Sequence, residues 1–313
     1  MGSSHVFRPV RPRLWFETPL GLWRWSRYVE ATLRFTPLAA LPAAVLLFGS
    51  ELPPWAFMWL LAFAIYAGFK WFTWRPAHAA QAFPNAFYSA GYLLFWPGMQ
   101  AEDFCARKST LWPSARDVFF AWLKMTAGLL LLAAAIPHLP PVAAAWTGMG
   151  AILLVLHFGL FDLLHQLWTV MGVQTPKVMN APLRATSLAE FWSARWNLAF
   201  RALAHDFVFR PLTRRFGIRF ASFAGFLFSG IIHDVVISVP AGGGFGMPTV
   251  YFLLQWLGIQ LERSAMGKRL GLQHGVRGWC FTVLVTVAPV GLLFHEKFMN
   301  VVLLPFLAAI GAR

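Results

Sequence analysis

Apolar residues run along this chain in long blocks, not in the alternation of a half-buried strand or the one-sided stripe of a surface helix. A membrane-spanning helix needs about 20 largely apolar residues. The blocks that approach this are 36–49, 54–72, 118–136, 142–171, 220–239, 248–262, 278–294 and 298–311. The first is short and carries Pro37 and Pro42, whereas the second ends in an aromatic cluster, Trp71, Phe72 and Trp74. Pro137, Pro140 and Pro141 part the third from the fourth, which is long enough to leave the bilayer near Gln166. The fifth ends at Pro240 and a glycine run, Gly242 to Gly244, that reads as an external turn. The sixth stops at Glu262-Arg263, and the last two flank His295-Glu296-Lys297. This pattern predicts an all-α, polytopic transmembrane helical bundle of about eight spans. Residues 75–117, with Pro84, Pro97 and Pro113 among Trp and Phe, read as short interfacial helices. Residues 198–210 are expected in the interface or re-entering, because Arg201, His205 and Asp206 do not suit lipid.

Composition turns that pattern into a class. Of 313 residues, 58% are hydrophobic and 12% charged, against about 25% charged in soluble domains. A soluble fold of this length has too little interior to hide so much apolar surface. The 16 tryptophans suit the membrane–water interface. A net charge of +14 would suit nucleic acid only if Lys and Arg clustered on a solvated face. Here they flank apolar blocks instead: Arg24, Arg27 and Arg34 before the first, and Arg210, Arg214, Arg215 and Arg219 before the fifth. The connections 75–117, 173–219 and 262–277 are basic, while 50–53, 137–141 and 240–247 hold no Lys or Arg. The positive-inside rule then puts both termini in the cytoplasm, with residues 1–35 a cytoplasmic basic arm of one membrane-embedded domain, 1–313. The expected partners are membrane lipids, with no nucleic acid. Cys105 and Cys280 give neither a disulfide framework nor a metal spacing. The N-terminus lacks the apolar core of a signal peptide and the pattern for myristoylation, so no processing is expected.

Ionisable residues at membrane depth are costly and mark function by default. They cluster here: His157, Asp162 and His165 in the fourth block, and His233-Asp234 in the fifth. His233 lies fourteen residues beyond Arg219, or roughly 20 Å along a helix, deep in a ~30 Å core. Between these blocks runs NAPLRATSLAEFWSARWN, residues 180–197. Ser187 followed by Glu190 is a capping box, so a helix is predicted to start there. On it Trp192, Arg195 and Trp196 share a face, and Asn197 closes the segment. Indole N–H, guanidinium and carboxamide are all donors, fit to receive a carbonyl, a phosphate or a carboxylate.

The stretch S-L-x-x-F-W-x-x-R-W-N, followed about 35 residues later by S-G-x-x-H-D on an apolar helix, resembles the wax-synthase branch of the membrane-bound O-acyltransferase superfamily. The likeness is best over about 150–260. It implies acyl-CoA-dependent transfer of a fatty acyl group to a lipid hydroxyl in a membrane-embedded chamber. His233 would be the catalytic base and Asn197 its partner, polarising the thioester or stabilising its oxyanion. Trp192, Arg195, Trp196, Asp234, Ser229, Arg184, Asp162 and His165 are candidate acyl-CoA or substrate contacts, and Arg184, Arg195 and Arg201 candidate phosphate ligands. No cofactor and no metal is implied; acyl-CoA is a co-substrate. Relatives often carry Glu after the histidine and Gly-Arg after Phe-Trp, where this chain has Asp234 and Ser193-Ala194.

Each residue also has a plainer reading. His233 could bond a backbone carbonyl, Asn197 could cap a helix, and Asp162 and His165 could satisfy each other. Arg184 and Arg201 could serve only topology, and Trp192 and Trp196 only interfacial anchoring. At the level of the whole chain, a polytopic lipid transporter and a membrane di-iron desaturase or hydroxylase are the alternatives. The acceptor is open: a fatty alcohol is the default of the branch, with sterol, diacylglycerol or a specialised metabolite compatible. A bacterial plasma membrane is expected, or the endoplasmic reticulum for a eukaryotic source. Oligomeric state is not legible.

Overall fold

The computed structural model describes residues 20–105 and 109–313, with side chains from residue 29 onward. The basic arm expected over 1–35 therefore lies outside the described residues as far as position 19. Every regular element described is helical. The principal ones, in chain order, are α1 (Leu20–Phe48), α2 (Pro54–Ala79) and α3 (Ala86–Phe95), then α4 (Ala115–His138) and α5 (Pro141–Val170). The short α6 (188–195) and long α7 (Leu198–Ala241) follow, and then α8 (Met247–Arg263), α9 (Gly275–Leu293) and α10 (296–309).

Six of these are long and apolar enough to cross a membrane: the Val29–Phe48 part of α1, α2, α4, α5, α7 and α9. The expected sixth and eighth spans are present as helices, but too short to stand among these six, α8 having 17 residues. The chain is a multi-pass integral membrane protein. Its first helix begins well before the expected residue 36, and neither Pro37 nor Pro42 ends it. Pro37 has no N–H to give the carbonyl of Leu33, four residues back. The indole of Trp71 on α2 donates to that carbonyl instead, at 2.8 Å. Such tertiary repair is what makes proline tolerable in a membrane helix.

Sequence signals place other ends as written. Ser114 caps α4, its Oγ accepting from the N–H of Asp117 at 3.1 Å, and Asn85 caps α3 through Tyr88 at 3.3 Å. The 75–117 connection holds the short α3, as expected of an interfacial segment. Its rings pack with Trp168 of α5 in a cluster that includes Tyr92 and Phe104. A second cluster joins α5, α7 and α10 through Ala144, Ile237, Val302 and Leu307.

The fold turns on α7. Its 44 residues would extend about 66 Å if straight, more than twice the bilayer core. At Gly217 the backbone takes φ 80°, ψ 170°, open to glycine and closed to most residues. The helix therefore divides into a polar arm, 198–216, and an apolar arm, 218–241. Residues 198–210, whose placement the sequence left between interface and re-entry, belong to the polar arm. The apolar arm packs against α8 where Gly230 meets Thr249, with room for no side chain: a Cβ there would sit 2.7 Å from the Thr249 Cα. Small residues at such contacts are how helices approach closely in lipid.

Candidate functional site

The 180–197 stretch folds into a tight loop closed by its own polar groups. Backbone bonds run from the Asn180 N–H to the Arg195 carbonyl and from the Leu198 N–H to the Val178 carbonyl, both 2.8 Å. Ser187 caps α6 as the capping box foresees, its Oγ accepting from the Glu190 N–H at 3.0 Å. The Glu190 carboxylate reaches back to the Thr186 N–H at 2.9 Å. That bond, with Arg195 beside it, holds the Glu190 carboxyl below the usual carboxylate range. The remaining N–H groups at the start of α6, those of Leu188 and Ala189, donate to the buried carboxylate of Glu262 on α8. Glu262 thus fixes this loop to the bundle, a role that the sequence reading missed.

After one turn α6 widens to π geometry over Phe191–Arg195. Arg195 turns away from Trp192 and Trp196, pairs with Glu190 at 2.6 Å, and donates to the carbonyls of Asn180 and Ala181 at 3.3 Å. The expected face of two indoles around a guanidinium is corrected accordingly: Trp192 and Trp196 line a cavity, and Arg195 closes the loop behind them. Trp192 packs against Phe226 and Phe252. Its indole faces the fully buried Gln255 at 3.4 Å, and Gln255 is held in turn by the Val285 carbonyl at 2.8 Å.

That cavity, of about 430 Å³, lies between the two arms of α7 and is walled by α6 and α8. His233, Asn197, Ser229, Trp192 and Trp196 all line it. Asn197 takes the left-handed conformation, φ 38°, and caps the polar arm by accepting from the Phe200 N–H through Oδ1 at 3.2 Å. Its carboxamide Nδ2 has no partner among the described residues and is left to donate. His233 lies on the apolar arm, with Phe252 packed on its ring at 4.5 Å between centroids. A carbonyl can only accept, so the 2.7 Å contact from Nδ1 to the Ser229 carbonyl puts the proton of the neutral ring on Nδ1. Nε2 then carries the free lone pair. Ser229 Oγ donates to the Gly225 carbonyl at 3.0 Å.

The other expected contacts lie elsewhere. Asp234 turns from the cavity and accepts from the N–H groups of Gly246 and Thr249, at 2.8 and 3.0 Å, at the start of α8. The hydroxyl groups of Thr249 and Ser238 donate to it as well. Asp162 pairs with Lys124 of α4 at 2.6 Å, and His165 meets the Thr175 hydroxyl at 3.0 Å. They do not satisfy each other, and neither lines the cavity. Arg184 is exposed on a short turn, Pro182–Arg184, apart from the cavity. Two arginines do line it, Arg201 and Arg263, together with His205. Arg263 was legible only as the end of a span.

Residues 175–254 match the model of the membrane bound O-acyl transferase family. Both motifs read from the sequence fall inside this stretch, and the resemblance to the wax-synthase-like branch is borne out. Among curated relatives, the chain is similar to probable long-chain-alcohol O-fatty-acyltransferase 7 of Arabidopsis thaliana, 29% identical over 155 residues, or 45% of each chain. Probable long-chain-alcohol O-fatty-acyltransferase 2 of the same plant is 32% identical over 143 residues, 42% of this chain and 41% of the relative. Acyl-CoA–sterol O-acyltransferase 1 of that plant is 34% identical over 64 residues, 18% of this chain and 19% of the relative. The matches span less than half the length of these relatives.

Proposed function

We propose that the protein is an acyl-CoA-dependent O-acyltransferase that esterifies a lipid hydroxyl, with a long-chain alcohol as the first acceptor to test. The relatives' names supply the substrate class, and one observation carries the chemistry. In a single cavity His233 offers a free acceptor nitrogen and Asn197 a free donor nitrogen, because the opposite atom of each is engaged by backbone.

In this reading the acceptor hydroxyl gives its proton to His233 Nε2 as its oxygen attacks the thioester carbonyl. Negative charge gathers on the carbonyl oxygen, where Asn197 Nδ2 donates to it. The C–S bond then breaks, the ester leaves, and the imidazolium returns the proton to the departing thiolate. The apolar walls of Trp192, Phe226 and Phe252 exclude water, which would otherwise compete as acceptor. The reading takes the basic connections and both termini as cytoplasmic, in a bacterial plasma membrane, with the chain as one membrane-embedded domain. Neither a transporter nor a desaturase gains a specific observation of its own.

The test is purification in detergent followed by radiolabelled acyl-CoA with a panel of lipid alcohols, for the native protein and His233→Ala. Ester formation should vanish in the variant while membrane insertion stays normal. Esterification at the native rate in His233→Ala would overturn the assignment.

A further inference from the structure

A proline in α9 leaves its mark on the cavity wall. Regular helix stops at Val287 and resumes at Val290, because Pro289 has no N–H for the carbonyl of Val285, four residues back. Two buried side chains of α8 meet the break. Gln255 Nε2 donates to the Val285 carbonyl at 2.8 Å, and the Tyr251 hydroxyl donates to the neighbouring Thr286 carbonyl at 3.1 Å. The two stand four residues apart, on one face of α8. A carbonyl only accepts and an indole N–H only donates, so the partners of Gln255 fix which way its amide faces. Nε2 goes to α9, and Oε1 turns to the Nε1–H of Trp192 at 3.4 Å. An amide inside a membrane bundle is costly unless both its ends are paired, and here both are. Gln255 is fully buried and does not itself line the cavity.

What Gln255 holds is the wall beside His233. The Trp192 ring lies 5.8 Å from Phe226, edge-on, and 5.7 Å from Phe252, between centroids. Phe252 in turn packs on the imidazole of His233. An indole released from Gln255 has an open cavity to turn into, and its N–H then takes water as its acceptor. We propose that Gln255 is a positioning residue of the acyl transfer: by holding Trp192 in place it keeps water from His233, and so makes the reaction specific for a lipid hydroxyl. This rests on the acyl-transfer reading. Water in place of the alcohol runs the same steps. Its oxygen attacks the thioester carbonyl, one proton passes to His233 Nε2, the C–S bond breaks, and that proton leaves on the thiolate. The products are free fatty acid and coenzyme A.

The readout is the ratio of free palmitic acid to ester formed from radiolabelled palmitoyl-CoA and hexadecanol, after subtraction of the His233→Ala background. Both products come from the same folded molecules, so a variant that only folds less well lowers both and leaves their ratio unmoved. In Gln255→Met, which keeps the length and removes both ends of the amide, the ratio should rise about 5-fold, the scale of one neutral hydrogen bond. Trp192→Phe keeps a ring, drops the N–H, and should raise it at least as far. The double variant should exceed the larger single rise by less than about twofold, because both changes remove one interaction. If Gln255→Met does not accumulate, Gln255→Asn, whose amide is one methylene too short to reach both partners, reads the same ratio. A ratio that stays native in the Gln255 variant, or rises in the double variant by the product of the single effects, overturns the positioning role alone. A native protein that releases only acid, or makes neither product, overturns the acyl-transfer reading beneath it.

Discussion

The proposed mechanism gives Asn197 a second job beside the cap it makes, and a graded set of substitutions separates the two. It caps the polar arm of α7 through Oδ1 and occupies a left-handed conformation, and its Nδ2 is assigned to the oxyanion. Asn197→Asp keeps an acceptor for the Phe200 N–H, and Asp caps helices and tolerates φ > 0 almost as well as Asn. Stability should therefore hold to within about 0.5 kcal/mol. The donor is gone, however, and a carboxylate oxygen faces the developing charge. Loss of one oxyanion donor costs about 2.7–4 kcal/mol in the transition state, or 10²–10³ in kcat, and the added negative charge pushes the loss upward. Asn197→Gly relieves the backbone and loses little of the cap, so it too should fold and be as inactive. Asn197→Ala alone should lose stability too, by about 1 kcal/mol for the cap and a similar amount for the left-handed alanine. The measurements are thermal unfolding in detergent and initial rates with radiolabelled palmitoyl-CoA and hexadecanol. Asn197→Asp esterifying within threefold of native would mean that Asn197 is a cap and nothing more.

Two further expectations concern groups outside the cavity. Asp234→Ala should lower the thermal midpoint, since it strands the half-buried N–H of Thr249 at the start of α8, at about 1–3 kcal/mol for a buried group left unpaired, while the exposed Gly246 N–H can turn to water. An unchanged midpoint would return Asp234 to the list of substrate contacts. Glu190 contributes stability with a definite pH sign. Its folded carboxyl titrates below the ordinary range, first because the Thr186 N–H donates to it and then because of Arg195. Its contribution is thus complete above the unfolded value and lost as pH falls through the folded one. The native protein should exceed Glu190→Gln in thermal midpoint near neutrality and converge with it under acid; a gap that widened as pH fell would refute the assignment.

The spans were legible because lipid demands length and apolarity at every position, which local sequence records directly. The start of α1 was not, because 20–35 mixes Trp and Arg and its helix continues into the apolar block without a break. In the site, His233, Asn197, Trp192 and Trp196 were legible from motif and depth. Arg195 was placed on the cavity face by counting 3.6 residues per turn from Ser187. The π turn over 191–195 breaks that count, and the guanidinium swings behind the loop to Glu190. Asp162 found its partner in Lys124, 38 residues away, and Glu262 serves Leu188 across 74. No periodicity carries such pairings, since they exist only once helices pack. Arg263 read only as the end of a span for the same reason: nothing local reveals that this helix end reaches the cavity.

The adjacent His233 and Asp234 show how the bundle positions the imidazole that the proposed mechanism uses as base. They stand at the junction where the regular helix of the apolar arm widens to a π turn over Asp234–Ser238. His233 bonds backward along its own helix to Ser229, while Asp234 reaches across to the first turn of α8. An anion suits a helix N-terminus, where free N–H groups and the helix dipole both favour it. By taking the N–H of Thr249, Asp234 sets where α8 begins, and Phe252 lies three residues further on, nearly one turn. That ring is the one packed on the imidazole of His233. The aspartate therefore acts on the histidine by fixing the surface against which the ring rests. Replacing it would loosen the imidazole even in molecules that still fold, so the residual activity of Asp234→Ala should fall further than its folded fraction.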